Sequence, residues 1–171
     1  MKTLNQLIQD YTCHLRQGEI QTAYRGILEF IGELRADFEK KYPDYDTSSI
    51  YQGYMDMSYF SLNTKSLYKN GLKVAIVYLH EKGSFEVWLS ARNRDISKQY
   101  ESVFHGQSFS GITVFHDDNN KDAIIECSLI STPNFENQET LINIIEQGTE
   151  VFIAVVINML IKFEENKMDL K

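Results

Sequence analysis

The sequence predicts an α+β fold: a mainly antiparallel, five-stranded sheet packed by an N-terminal helix pair and a long C-terminal helix. Apolar residues recur at helical spacing at both ends of the chain, whereas the middle shows the period of two that is typical of strands. The chain has 171 residues, 43% of them hydrophobic and only two of them proline, which suits one core without a linker. We therefore expect a single domain over residues 1–171, with the element order ααβββαββα.

Two helices are predicted at the N-terminus. The first carries apolar residues at helical spacing and is expected to end near Gly18. The second continues the pattern from Ile20 to Phe38 and is expected to run to about Lys41, before Pro43. Because only two or three residues join them, we expect the two helices to pack as an antiparallel pair.

Five strands and one helix are predicted in the middle of the chain. Residues 50–62 are rich in Tyr, Met and Phe, which indicates a strand with both faces partly covered. Residues 72–80 and 85–91 flank a tight turn and predict a hairpin, after which Asn93 is suited to cap a helix. Residues 112–115 and 123–129 flank a polar loop and predict a second hairpin.

A long helix is predicted over residues 135–166. Its apolar residues fall near a heptad register, with Gly148 in one slot: Leu141, Ile145, Phe152, Val155, Met159 and Phe163. A helix that is apolar around most of its circumference forms the centre of a core or an oligomer interface. We therefore expect a homodimer that forms through this helix.

Charge and composition restrict the partners and the compartment. The net charge of −7 disfavours nucleic acids and anionic membrane surfaces, which attract basic proteins. The most apolar stretch, residues 151–161, is shorter than the roughly 20 residues that a spanning helix needs, and the first residues are too polar for a signal peptide. Two distant cysteines, Cys13 and Cys127, suggest reduced thiols. We expect a cytoplasmic protein with no nucleic-acid or membrane partner.

The most concentrated positive charge suggests a site for a small anionic ligand. Arg92 and Arg94 flank the start of the predicted central helix, where guanidinium groups and backbone N–H groups can hold an anion together. Trp88 can stack on a ring, and Tyr54 completes the candidate ligand-binding set. The alternative is that the two arginines form ion pairs with acidic neighbours, namely Asp95, Glu86 or Glu101.

Asp56 and Glu86 are the candidates for catalysis. Asp56 lies within the apolar segment 50–62, so we expect it to be buried and paired with a Tyr hydroxyl, Arg92 or Lys73. An Asp and a Glu on neighbouring strands resemble the acidic pair of restriction-endonuclease-like nucleases. In this chain Trp88 stands where those enzymes carry a lysine, which removes the cation that assists cleavage. The sequence indicates no cofactor and no metal site.

Several strings together resemble an uncharacterised bacterial family that is described only as a domain of unknown function. They are Tyr51-Gln52-Gly53-Tyr54-Met55-Asp56, Phe85-Glu86-Val87-Trp88-Leu89, Arg92-Asn93-Arg94, and Pro133-Asn134-Phe135 with Glu146, Thr149 and Phe152. The resemblance covers nearly the whole chain. It implies no activity and no catalytic residues.

We therefore expect a non-enzymatic module that binds a small ligand or another protein. The alternative is a metal-dependent phosphodiesterase of the restriction-endonuclease-like type, or an inactive relative of one. An enzyme needs Asp56 and Glu86 to converge in an open cleft, whereas a ligand-binding module needs a concave aromatic or basic pocket.

Overall fold

A six-stranded antiparallel sheet organises the computed structural model, which describes residues 1–169. The strands lie in the order β1-β2-β3-β4-β6-β5. They are β1 (Asp46–Thr47), β2 (Met57–Asn63), β3 (Leu72–Leu79), β4 (Ser84–Ala91), β5 (Val114–Phe115) and β6 (Ile125–Ile130). The helices are α1 (Leu4–Gln17), α2 (Glu19–Lys41), α3 (Lys65–Lys69), α4 (Arg94–Phe104) and α5 (Gln138–Asp169). The α+β class, the antiparallel sheet and the long C-terminal helix are confirmed.

The predicted number of strands and the element order are wrong. The additional strand, β1, has two residues and pairs with the end of β2, so it is too short to show any periodicity. The short helix α3 was not predicted either, although Thr64 caps it by accepting a hydrogen bond from the Leu67 backbone N–H. The segment 50–62 becomes a regular strand only at Met57, because Gly53 and Met55 adopt positive φ angles of 75° and 67°.

Capping residues and a glycine set the ends of the two N-terminal helices. Thr3 and Gln6 form a reciprocal capping box at the start of α1. Gly18 adopts a left-handed φ of 80° between α1 and α2, where the sequence predicts the first helix to end. The second helix stops at Lys41, as predicted. No residue of α1 is buried, whereas α2 contributes four apolar side chains to the core.

Strand alternation gives the sheet two different faces. One face packs against α2, α4 and α5 through a single large core, to which β3 and β4 contribute Val74, Ile76, Phe85, Val87 and Leu89. The opposite face carries a smaller apolar cluster: Ala75, Val77, Trp88 and Ala123, with Met57, Tyr59 and Leu79 packed against it. This second face is the one on which the candidate site lies.

The C-terminal helix α5 places its predicted heptad face inside the domain. Leu141, Ile145 and Phe152 are buried in the main core, and Val155, Met159 and Phe163 are partly buried. At Gly148 the helix approaches β6 so closely that an added Cβ would lie 2.6 Å from Leu129 Cδ2. That face therefore belongs to the core of the chain itself.

Polar contacts join α5 to the end of α2 and to the segment that follows it. Glu146 accepts hydrogen bonds from Lys41 Nζ at 2.7 Å and from the Tyr42 hydroxyl at 2.8 Å. The Tyr45 hydroxyl donates to Glu150 at 3.3 Å, and burial raises the pKa of Tyr45 to about 12. These contacts connect α5 to the chain around the end of α2.

The apolar part of α5 is longer than the eleven residues 151–161 considered in the sequence. By length and composition alone, the helix over Gln138–Asn166 is long and apolar enough to cross a membrane, since an 18-residue window within it has a mean hydropathy of 1.7. A core helix meets the same criterion, and the buried side chains of α5 pack within the domain. The absence of a membrane partner stays a prediction.

We predict that Phe152→Ala lowers the free energy of unfolding by about 3–5 kcal/mol, because Phe152 is fully buried and truncation leaves a cavity. Denaturant titration measures the loss. The matched control is Phe115→Ala, since Phe115 is 39% exposed and should cost far less. A loss below about 1 kcal/mol for Phe152→Ala would show that α5 contributes little to the core.

Candidate functional site

Two clefts open on the sheet face that lies opposite α2 and α5. Each has a volume of about 460 Å³. The segment 51–57 lines both clefts from one side, and the segment 115–126 lines them from the other. Met57 and Trp88 line both clefts and therefore separate them.

The first cleft is basic. Four cationic side chains line it, against a single carboxylate, that of Asp122; the cations are Lys73, Arg92, Arg94 and Lys121. Its floor comes from paired positions of β3 and β4, where Ala75 lies opposite Trp88 and Lys73 lies opposite Ser90. The rings of Tyr51 and Tyr59, with centroids 5.0 Å apart, add an aromatic wall.

The junction between β4 and α4 positions both arginines. The Arg92 backbone N–H donates to the Gly71 carbonyl at 2.8 Å, which anchors the end of the strand. Asn93 caps α4 by accepting a hydrogen bond from the Ile96 backbone N–H at 2.9 Å, as predicted. An added Cβ at Gly71 would lie 2.6 Å from Ile96 Cδ1, so this glycine lets α4 begin close to β3.

Neither arginine forms the ion pair that was the alternative to ligand binding. Within residues 1–169, no carboxylate lies within 4.0 Å of either guanidinium group. Glu86 pairs with Lys82 instead, and Glu101 accepts a hydrogen bond from the Ser97 hydroxyl. Both arginines are exposed, so their donors face solvent at the cleft.

The second cleft is acidic. Five carboxylate residues, one lysine and several apolar side chains line it; the acidic residues are Asp56, Glu81, Glu86, Asp117 and Glu126. Asp56 and Glu86 therefore line a common cleft, whereas the phosphodiesterase alternative requires that the two carboxylates converge there. Glu86 is buried, and its two oxygens are already engaged: Trp88 Nε1 donates at 2.8 Å and Lys82 Nζ at 3.2 Å.

The structure divides the predicted ligand-binding set between the two clefts. Arg92 and Arg94 line the basic cleft together with Trp88. Tyr54 lies in the acidic cleft, where its side chain is 89% exposed. Lys73 and Lys121 are cationic residues of the basic cleft that were absent from the predicted set. The alternation of β3, which puts Lys73 on the same face as Ala75, is a signal that would have revealed the first of them.

The prediction that Asp56 is buried and paired with a side chain is wrong. Asp56 is exposed and lies in the turn before β2, not inside a strand. Its Oδ1 accepts a hydrogen bond from the Tyr54 backbone N–H at 2.9 Å. Backbone N–H groups of Tyr54 and Met57 lower the pKa of the Asp56 carboxyl. Asp56 thus closes a turn through its own backbone neighbours.

Glu126 is a buried carboxylate that sequence reasoning missed. Its side chain is 1% exposed, and this burial raises its pKa. It accepts hydrogen bonds from the Asn120 side chain at 3.0 Å and from the Asp117 backbone N–H at 3.3 Å, and His116 Nδ1 lies 3.4 Å from its second oxygen. Glu126 therefore attaches the loop after β5 to β6.

Metal ligation has little support in these clefts. Among the residues that the structure describes, no group of three or more His, Cys, Asp or Glu side chains is arranged to hold a metal ion. The basic cleft, in contrast, is lined mainly by cationic side chains.

We predict that Gly53→Ala is more destabilising than Gly106→Ala. Both glycines have a positive φ, 75° and 73°, at which a Cβ costs about 1–2 kcal/mol. Only at Gly53 would that Cβ lie 1.9 Å from a backbone oxygen, the Met57 carbonyl, which forces the turn apart. Thermal and denaturant unfolding should show an excess loss of at least about 1 kcal/mol for Gly53→Ala. Equal losses would mean that the turn relaxes without strain.

We predict that Asp56 contributes to a fall in the free energy of unfolding as the pH is lowered into the acid range. Because the folded protein lowers the pKa of Asp56, its contribution is present above about pH 4, the unfolded pKa, and is lost as the pH falls through the folded pKa. The free energy of unfolding should therefore fall less steeply below pH 5 in Asp56→Asn than in the wild type. Urea titrations at a series of pH values measure both slopes, and identical slopes would contradict the prediction.

Comparison with known proteins identifies a family whose function is unknown. No curated protein and no solved structure matches this chain. A family model described as Domain of unknown function (DUF7000) matches residues 4–160, which include both clefts and most of α5. The resemblance to a family of unknown function is thereby confirmed, and the chain belongs to the DUF7000 family.

Proposed function

We propose that this protein is a non-enzymatic ligand-binding module whose basic cleft takes a small anion attached to a flat ring. The observation that carries the proposal is the pair of arginines, Arg92 and Arg94, which line a cleft without any carboxylate in ion-pair contact. The whole chain has a net charge of −7, whereas four cationic side chains surround this one cleft, so the charge of the cleft is opposite to that of the chain.

The geometry suits a small ligand. A cleft of about 460 Å³ falls within the range of small-molecule sites. Guanidinium forks bind a carboxylate or phosphate through paired hydrogen bonds, and the first backbone N–H groups of α4 add positive partial charge beside them. Tyr51, which is 40% exposed, offers its ring to a planar ligand, and Trp88 forms part of the floor.

The charges favour a small anion over a nucleic acid. Phosphate-backbone binding needs basic residues spread over several nucleotides, whereas here the cations converge on one cleft beside an acidic one. We further propose a cytoplasmic location, which the free thiols of Cys13 and Cys127 support.

The single tryptophan makes the proposal directly measurable, because Trp88 lies in the cleft. We expect phenyl phosphate to change the fluorescence of Trp88 in a saturable way and to bind more tightly than inorganic phosphate, since the ring adds apolar contact. Arg92→Ala and Arg94→Ala should each weaken phenyl phosphate binding about ten-fold or more, because each removes a hydrogen bond to a charged group.

The matched control is Arg25→Ala, which removes an exposed arginine of α2 that does not line the cleft. Its affinity for phenyl phosphate should equal that of the wild type. Equal affinities in all four proteins would show that the basic cleft is not the site. The absence of binding to phenyl phosphate, phosphate and benzoate would reject an anion site of this kind.

The alternative, a metal-dependent phosphodiesterase, has one observation in its favour: Asp56 and Glu86 line the same acidic cleft. Against it, Trp88 and Lys82 hold Glu86, and Asp56 accepts a hydrogen bond from its own turn. Incubation with Mg²⁺ or Mn²⁺ and bis-(p-nitrophenyl) phosphate distinguishes the two functions. Divalent-dependent hydrolysis that Asp56→Asn abolishes, with unchanged melting, would favour the enzyme.

A further inference from the structure

One face of α5 remains uncovered by the domain. Its residues recur at alternating intervals of three and four, and all six are exposed: Ile144, Gln147, Val151, Ala154, Asn158 and Ile161. We call this face the α5 seam. It lies away from the core residues Ile145, Phe152 and Val156, which point into the sheet side of the same helix.

The α5 seam has the spacing of a helix-pairing surface. Intervals of three and four residues keep one stripe of a helix facing a partner helix over its whole length. Ile144, Val151 and Ile161 are 39%, 43% and 47% exposed, which is unusual for branched apolar side chains that follow such a stripe. The seam is distinct from the heptad set that the sequence suggested, because that set is used by the core.

The order of residues along the seam is symmetrical about its centre. From either end it runs apolar, amide, apolar: Ile144, Gln147 and Val151 in one direction, and Ile161, Asn158 and Ala154 in the other. In an antiparallel pair of identical helices, each first-half residue faces its second-half counterpart on the partner. Isoleucine then meets isoleucine, amide meets amide, and valine meets alanine on both sides of the two-fold axis.

We propose that the occupant of the α5 seam is a second copy of this chain, packed antiparallel through α5. The next position at each end of the seam fits the same antiparallel pairing, because Thr140 of one copy would face Glu165 of the other copy. Ala154 beside the two-fold axis permits close approach of the helices. A parallel pair would set the exposed Glu165 against itself and align the two helix dipoles, both of which are unfavourable.

The first test is the oligomeric state. Sedimentation of the wild type at micromolar concentration should give a dimer, whereas Val151→Glu and Ile161→Glu should weaken the dimer at least about 100-fold, because each places a carboxylate in an apolar layer. Tyr68→Glu is the control, since Tyr68 is 70% exposed on α3 and lies outside the seam. Circular dichroism verifies that all variants fold. A monomeric wild type overturns the proposal, as does a dimer that both seam variants preserve.

The second test fixes the direction of the helices. In Gln147→Glu combined with Asn158→Lys, an antiparallel pair gains two Glu–Lys contacts between copies, whereas a parallel pair places like charges together. The double variant should therefore remain a dimer, and its dissociation should become more sensitive to salt. Loss of the dimer in the double variant would reject the antiparallel arrangement.

The third test addresses another occupant of the same face. Because Gln138–Asn166 is apolar enough to cross a membrane, flotation with phosphatidylcholine vesicles is measured on the wild type and on Val151→Glu. We expect no flotation of either protein. Flotation of a monomeric wild type that Val151→Glu abolishes would assign the α5 seam to a lipid surface. The outcome is independent of the basic cleft, which lies on the other face of the sheet.

Discussion

The packing of α2, α4 and α5 against one face of the sheet is the constraint on which the remaining structure depends. Phe30 of α2 meets Phe85 of β4 and Phe135 at centroid distances of 5.7 and 5.3 Å, and α4 and α5 join the same core. α1 packs on α2 without burying a residue, and among the described residues no helix contributes a buried side chain to the apolar cluster on the other face. Segment 51–57 and the loop before β6 line that face instead, and the loop is held by polar contacts such as the 3.0 Å hydrogen bond from the Asn120 side chain to Glu126. Loops fill a surface less completely than helices do, and the two clefts lie between them.

The two clefts carry opposite charges because they lie at opposite ends of the central strands β3 and β4. The basic side chains gather where β4 leads into α4, and the acidic ones gather near the β3–β4 turn and the loop before β6. Trp88 lies between them, and the buried Glu86 fixes its indole through a 2.8 Å hydrogen bond. Lys82 compensates the charge of Glu86, which reduces the cost of burying a carboxylate beside apolar residues. The indole between the two clefts is therefore held by a buried polar contact.

Most of the fold was predictable because its elements are long and regular. Capping at Asn93 and the glycine at position 18 gave helix ends that agree with the structure. Short elements such as β1 and α3 escaped prediction, since two to five residues carry no period. Asp56 was misplaced because the apolar run around it resembles a strand, whereas Gly53 and Met55 bend the backbone there. The arginine pair was predictable from local sequence alone. Lys121 and Glu126 needed the three-dimensional arrangement, because they reach the clefts from a distant part of the chain, Lys121 from the loop before β6 and Glu126 from β6 itself.

The two outer strands of the sheet have a consequence for how copies of this protein meet. Both β1 and β5 contain only two residues, and they lie at opposite edges. A strand of that length offers too few free backbone groups to template a neighbouring chain, so the sheet resists growth by edge-to-edge addition. A protein with a broad apolar core and 43% hydrophobic residues is thereby protected against fibrillar aggregation along its sheet. Copies of the protein can then associate only through their side chains, and an interface that is closed by symmetry limits the number of subunits.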